Sequence, residues 1–166
     1  MTINIDKILL EIESIPNIKK HTQVMLQTIE NCKDPLYGIG SILRDFEGTN
    51  EEQVKAVKEI EKTFIFPLWS KLVYTNSILK KLQMYRTRIM TMKPKTCYTY
   101  HIDASPRIHI PLVTNDDCFF IIEDEILRIP ADGNHYHIDT TKKHTFVNAS
   151  FEDRIHIVGV YEKFDL

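Results

Sequence analysis

The tetrapeptide Tyr-His-Ile-Asp stands twice in this chain of 166 residues, at Tyr100–Asp103 and again at Tyr136–Asp139. A His and an Asp two residues apart face the same way on an extended strand, so either copy can present an imidazole beside a carboxylate. With a second imidazole from another strand, that pair becomes a donor set for a divalent metal that keeps coordination positions open. One H-x-D means little in a chain with seven histidines, so the surroundings must choose between the copies. After the first copy, His144 arrives 41 residues beyond Asp103, a separation suited to a ligand returning several strands later. After the second copy, the choices are His144, just across the polar turn TTKK, and His156. Asp139 also has a plainer task, because an aspartate where a strand ends accepts backbone N–H bonds and shapes the turn. Such a turn would help to place His144. His135 and His137 share the parity of Asp139 and can face the same cavity.

A second duplication strengthens the first copy. Arg-Ile-His-Ile occurs at Arg107–Ile110 and at Arg154–Ile157. In each, Arg and His share one strand face and the two isoleucines share the other. An arginine aimed between sheets is costly unless it is paired, so two of them imply something anionic inside: an acidic side chain or a carboxylate ligand.

The elements that must position these residues divide along the chain. Ile5, Ile8, Leu9, Ile12 and Ile15 recur at helical spacing up to Pro16, and a second helical stretch is expected over about 21–31. The glycine-bearing segment PLYGIGSILRDFEGTN reads as loop. Thr49 or Asn50 then caps a helix with Glu51 and Glu52 in its first turn and a buried stripe of Val54, Val57, Ile60 and Phe64. Pro67 is expected to open another helix through Leu82. From Met84 the period becomes two, and short strands follow at CYTYHID, RIHIPLVT, CFFIIED, EILRIPA, HYHID, HTFVN and DRIHIVGVYE. Closely spaced strands without helices between them indicate an antiparallel sandwich or small barrel, with the preceding helices packed on one side. No repeat or low-complexity tract divides the chain, so a single domain over 1–166 is expected, with a mainly helical support region at 1–83 and a catalytic core at 84–162.

Composition sets the class. No run of 18 apolar residues exists, the first residues lack a cationic leader, and Cys32, Cys97 and Cys118 form no C-x-x-C pair. A cytoplasmic protein in a reducing compartment is expected, with no membrane partner. The net charge of −2 hides a basic interval from Lys62 to Lys95 and an acidic one from Asp116 to Asp139. These read as two solvated faces, or as a basic face for an anionic substrate or an acidic protein. No aromatic-interleaved basic stripe points to nucleic acid.

Four pieces in order, YHID, RIHIPLVTN, IDTTKKHTFVNAS and DRIHIVGV, give the second half of the chain its resemblance. It resembles the double-stranded β-helix core of iron(II)- and 2-oxoglutarate-dependent dioxygenases. More narrowly it is similar to the aspartyl/asparaginyl β-hydroxylase family, which includes bacterial hydroxylases of free proline. The resemblance implies an α+β protein with a jelly-roll, cupin-like core. It implies His101, Asp103 and His144 as ligands of iron(II), and O2 and 2-oxoglutarate as co-substrates. Arg154 would bind the distal carboxylate of 2-oxoglutarate, and Arg107 would add to carboxylate binding. His109 and Asn148 occupy polar positions near the co-substrate. Lys95 stands after Pro94, where the family usually has a glycine, which implies a different turn. The substrate would be an amino acid, free or in a peptide or protein, and the helical half would form a lid or a homodimer face. Two other readings remain: a cupin-like barrel using zinc or another metal for different chemistry, and an interaction module with a dead site.

Overall fold

The computed structural model describes residues 1–161; residue 162, the last of the expected core, lies outside the described residues. Helix α1 (Ile5–Glu13) starts at Asn4, whose side chain accepts a hydrogen bond from the Lys7 N–H. Helix α2 (Glu51–Glu61) starts at Asn50 in the same way, with Glu51 and Glu52 where the helix dipole favours negative charge. Helix α3 spans Val73–Lys81. The strands are β1 (Gln23–Met25), β2 (Gln27–Thr28), β3 (Phe66–Pro67), β4 (Met84–Met92), β5 (Thr96–Cys97), β6 (Arg107–Val113), β7 (Cys118–Ile122), β8 (Glu125–Leu127), β9 (Tyr136–Ile138), β10 (His144–Asn148) and β11 (Arg154–Tyr161).

They form two antiparallel sheets, one in the order β1-β4-β11-β6-β9 and the other in the order β5-β10-β7-β8, with β2 and β3 as a separate pair. Met92 and Ile138 of the larger sheet meet Phe120 and Phe146 of the smaller in one apolar cluster, so the two sheets face each other. On the far side of the larger sheet, Ile89, Ile108, Ile110 and Ile157 pack against Ile8 and Ile12 of α1 and Ile78 and Leu79 of α3. This is the jelly-roll core with helices on one side that the strand spacing indicates. The alternation in β6 and β11 is what aims it: isoleucines face the helices, while Arg107, His109, Arg154 and His156 face the opposite sheet.

Three local expectations fail, each for a tertiary reason. The stretch 21–31 is not helical. Val24 pairs with Ile89 on the otherwise open edge of β4, and sheet pairing there overrides a weak helical period. Pro67 opens no helix either, because β3 pairs with β2 and the Leu68 N–H donates to the Leu26 carbonyl; α3 begins only at Val73. On α2, Ile60 is exposed, and the buried stripe runs through Val57 to Glu61 instead. At the turn after Pro94, Lys95 holds φ 57°, the left-handed conformation that glycine adopts most easily.

Ile110 is fully buried between sheet and helices. Ile110→Ala should lower the unfolding free energy by about 2–5 kcal/mol in urea titration. A smaller loss would mean that the helices do not close over this face.

Candidate metal centre

The first Tyr-His-Ile-Asp copy does not lie in a long strand. His101 instead makes a single antiparallel bridge with His144, its N–H donating to the His144 carbonyl at 2.9 Å and its carbonyl accepting from the His144 N–H at 2.8 Å. Two residues on, the Asp103 N–H donates to the carbonyl of Thr140 at 2.9 Å. These backbone bonds fasten the H-x-D segment to the start of β10, so the two imidazoles sit with ring centroids 4.4 Å apart. The ligand atoms of His101, Asp103 and His144 all lie within 4.8 Å of one another. Their Nε2 atoms approach the two Asp103 oxygens at 3.8 and 3.9 Å.

The opposite ring nitrogens are engaged. Nδ1 of His101 lies 2.7 Å from the Thr99 carbonyl, and Nδ1 of His144 lies 2.9 Å from that of Lys142. A carbonyl can only accept, so each Nδ1 carries the proton and each Nε2 offers its lone pair towards Asp103. Burial holds His144 below the ordinary histidine pKa, which keeps it in the neutral form that a metal needs. The His101 side chain is 43% exposed, so the triad opens to solvent on one side.

Arg107 and Glu61 fix the carboxylate. Arg107 donates through Nε to Asp103 at 3.1 Å and through Nη1 to Glu61 at 2.8 Å. Glu61, the fully buried last residue of α2, also accepts from Arg86 at 2.7 Å and from the Ser105 hydroxyl at 2.6 Å. Burial alone would raise the Asp103 carboxyl, but the charge and hydrogen bond of Arg107 hold it well below the usual carboxylate range. Glu61 is lowered in the same balance: burial raises it, while Arg107, Ser105 and Arg86 lower it further.

Two other arginines have no such partner. Arg154 is 2% exposed; its guanidinium lies 3.5 Å from the ring centre of Phe146 and meets Nδ1 of His156, and its Nε has no hydrogen-bond partner. No acidic side chain pairs with it among the described residues. Burial pushes the Arg154 guanidinium well below its ordinary pKa, and nothing nearby restores it beyond the distant influence of Cys118 and Tyr98. Arg88, from β4, leaves both Nε and Nη1 unpaired, and burial with the like charges of Arg107 and Arg86 pulls it down to about 9.

These side chains line two adjoining spaces. The inner chamber, about 70 Å³, holds the triad at one end and contains Arg154, His109, Phe120 and Phe146. The outer chamber, about 390 Å³, runs under Gly40–Phe46 and Val57. His101, Asp103, Arg107, Arg88, Met90 and Tyr98 border both.

The structure thus brings together His101, Asp103, His144, Arg107, His109 and Arg154. Asn148 is placed elsewhere: its amide donates to the Met92 and Glu152 carbonyls and accepts from Ser150, which fixes the turn before β11 and leaves it off both chamber walls. Asp139 shapes its turn by accepting from the N–H and hydroxyl of Thr141. His135 and His137 do not face the cavity; they meet each other edge to face, and His137 packs on Tyr161. The sequence reading misses Glu61, Arg86 and Arg88: the two arginines lie in the basic interval read as a face, and Glu61 stands just before it. Two signals were there: Glu61 lies four residues after Val57 on the same helix stripe, and Arg88 shares strand parity with Met90 and Met92.

A pair of imidazoles and one carboxylate inside a jelly roll, with an open side, forms a donor set that could hold a metal ion, of the two-histidine, one-carboxylate kind. The profile of the aspartyl/asparaginyl β-hydroxylase family matches residues 53–162, and the chain belongs to that family. No curated protein matches the sequence. Solved structures give distant likenesses. The plu4264 protein of Photorhabdus luminescens is 18% identical with a TM-score of 0.38, covering 46% of this chain and 62% of that one. The conserved SPY1581 protein of unknown function from Streptococcus pyogenes is 14% identical with a TM-score of 0.37, over 46% and 64%. A predicted oxalate decarboxylase from Thermotoga maritima is 15% identical with a TM-score of 0.40, over 52% and 73%. The alignments thus span less than two thirds of the first two structures, and the fold rests on the sheet order above.

Removing the Glu61 charge strands two buried guanidinium groups. Glu61→Gln should destabilise the protein by about 3–5 kcal/mol at neutral pH. The folded pKa of Glu61 is depressed, so its contribution is complete above the unfolded carboxylate value of about 4.3 and fades as pH falls below it. Melting curves of wild type and Glu61→Gln should therefore converge between about pH 4 and pH 2. A constant gap down to pH 2 would contradict the charge balance.

Proposed function

We propose that the protein is an iron(II)- and 2-oxoglutarate-dependent dioxygenase that hydroxylates an amino acid, free or within a peptide or protein. The observation that carries this reading is Arg154, a buried cation without a counter-anion, in the same chamber as the metal triad. A carboxylate that reaches Arg154 from the triad side would supply the missing charge.

His101 and His144 would hold iron(II) through Nε2 and Asp103 through a carboxylate oxygen, and their engaged Nδ1 atoms and Arg107 orient them for it. Bound iron supplies the O2 activation that couples oxidative decarboxylation of 2-oxoglutarate, to succinate and CO2, with hydroxylation of a second substrate. The protein's own part is placement. Arg154 takes the distal carboxylate, and the rings of Phe146 and Phe120, packed edge to face beside its guanidinium, keep water from competing. His109 meets His156 at 3.5 Å, and His156 in turn holds Arg154, which links the far end of the chamber to the β6 wall beside Arg107. Among the described residues no helix is long and apolar enough to cross a membrane. Cys32, Cys97 and Cys118 are all free, which supports a reducing, cytoplasmic setting where iron(II) persists.

The test is 2-oxoglutarate turnover to succinate with iron(II) and O2, alongside equilibrium binding of each component. His144→Ala should abolish metal binding. Arg154→Met should keep metal affinity while weakening 2-oxoglutarate by about thirtyfold or more, as expected for truncating one side of a buried charged pair. Tight metal binding by wild type with no 2-oxoglutarate binding would turn the reading to a cupin-like metal protein of other chemistry.

A further inference from the structure

The smaller sheet ends at β8, a strand whose three residues are all exposed. Phe120 and Phe146 face the larger sheet, so the alternate residues Phe119, Ile121, Thr145 and Val147 face outward, half-buried. Ile126 stands opposite Ile121 on that outer face, with 60% of its surface exposed. The backbone direction at this edge follows from the strands inside it. His144 exchanges bonds with His101, and the Phe146 carbonyl accepts from the Tyr98 N–H. Alternation then turns Thr145 and Val147 towards Ile121 and Phe119 of β7, and Phe120 and Ile122 towards Leu127 and Glu125 of β8. Ile126 is left with its N–H and C=O pointing away from β7, to the open edge.

Strand edges are normally defended by lysine, proline or a bulge, or are covered by another element. Here the exposed position is an isoleucine, and the residues two places to either side, Asp124 and Arg128, carry opposite charges. The Arg128 guanidinium lies over the Phe119 ring, on the outer face. Such an edge is complementary to itself. In an antiparallel pair about a two-fold axis at Ile126, the two Ile126 residues meet, and each Asp124 meets the Arg128 of the other copy. A parallel neighbour in the same register would set like charges side by side. The hairpin is also held in place before it pairs. At its tip the Glu123 N–H donates to the Lys143 carbonyl, the Glu123 carbonyl accepts from the Tyr100 hydroxyl, and the carboxylate meets Lys142 at 3.2 Å. A fixed edge loses little freedom on association.

We propose that β8 is a docking edge for a second copy of this chain, paired antiparallel and centred on Ile126. The Ile126 N–H of each copy donates to the Ile126 carbonyl of the other, and two four-stranded sheets become one continuous sheet. The outward row of Ile121 and Ile126 then runs on across the axis into the same row of the second copy. The contact covers one short edge, so the dimer is weak and depends on protein concentration. The interface lies on the strand half of the chain, away from the helices, and it does not depend on the dioxygenase reading.

The experiment is sedimentation equilibrium of the full chain from about 1 μM to about 1 mM, the span in which an interface of this size associates. Wild type should pass from monomer to dimer within that range. Ile126→Pro removes the N–H that the second copy needs, and proline suits an edge strand at a position whose N–H faces solvent. It should keep the circular dichroism of wild type and stay monomeric throughout. Asp124→Arg and Arg128→Asp should each weaken association about tenfold, since every dimer holds two such charge pairs. The double variant, with the two charges exchanged, should recover most of that loss. Arg128 also donates to the Asp116 carbonyl, and recovery by the double variant separates the ion pair from that contact. All three charge variants change exposed positions, so they test the edge even where Ile126→Pro fails to fold. A monomer at every concentration would overturn the proposal. So would a dimer that survives Ile126→Pro, which would put the interface elsewhere, on the helices for example. Single charge variants that associate like wild type, or a double variant no better than either, would overturn the antiparallel pairing on which it stands.

Discussion

Positive charge between two sheets is the constraint that organises this molecule. Arg86, Arg88, Arg107 and Arg154 all project inward from the larger sheet, where water is scarce and an unmatched guanidinium is costly. Glu61 and Asp103 answer for Arg86 and Arg107, through bonds of 2.7, 2.8 and 3.1 Å. Since Glu61 comes from α2, the helical half of the chain does more than cover a sheet. Its carboxylate reaches across to Ser105, within the segment that leads from Asp103 into β6, and to Arg107 at the start of that strand, and so helps determine where Asp103 stands.

What is left over defines the chemistry. Arg154 and Arg88 keep their charges unmatched, one at the end of the inner chamber and one on the wall between the two. Between them lies a triad whose imidazoles are held by backbone carbonyls and whose carboxylate is held by Arg107. Such a cavity is incomplete as a protein alone: it has ligands for a cation and cations for ligands. On the proposed reading, a metal and carboxylates would supply what each lacks, and their arrival should stiffen the H-x-D segment, whose backbone is fastened by only a few bonds.

Much of this was legible in the sequence because strand geometry is simple. Period two places His101 with Asp103, and Arg107 with His109, on common faces, and the duplicated Arg-Ile-His-Ile showed that arginines enter the interior. The jelly roll followed from the density of short strands. What stayed hidden depends on partners far away in the chain. That the stretch around Val24 becomes a strand follows from the free edge of β4, which no local period reveals. Glu61 looks like one more surface acid on a charged helix until Arg107, 46 residues later, folds onto it. The family resemblance points Asn148 towards the co-substrate, yet its side chain bonds Met92, Cys118, Ser150 and Glu152 and lines neither chamber.

The most direct test of the account is a crystal structure of the protein with Mn(II) and 2-oxoglutarate under anaerobic conditions. The account predicts a single strong anomalous peak bounded by His101, Asp103 and His144, with dicarboxylate density running from it to Arg154. It also predicts that the Glu61, Arg107 and Asp103 contacts stay as they are here. A metal seated away from that triad, or an Arg154 side chain paired with a protein carboxylate while 2-oxoglutarate binds elsewhere, would contradict it.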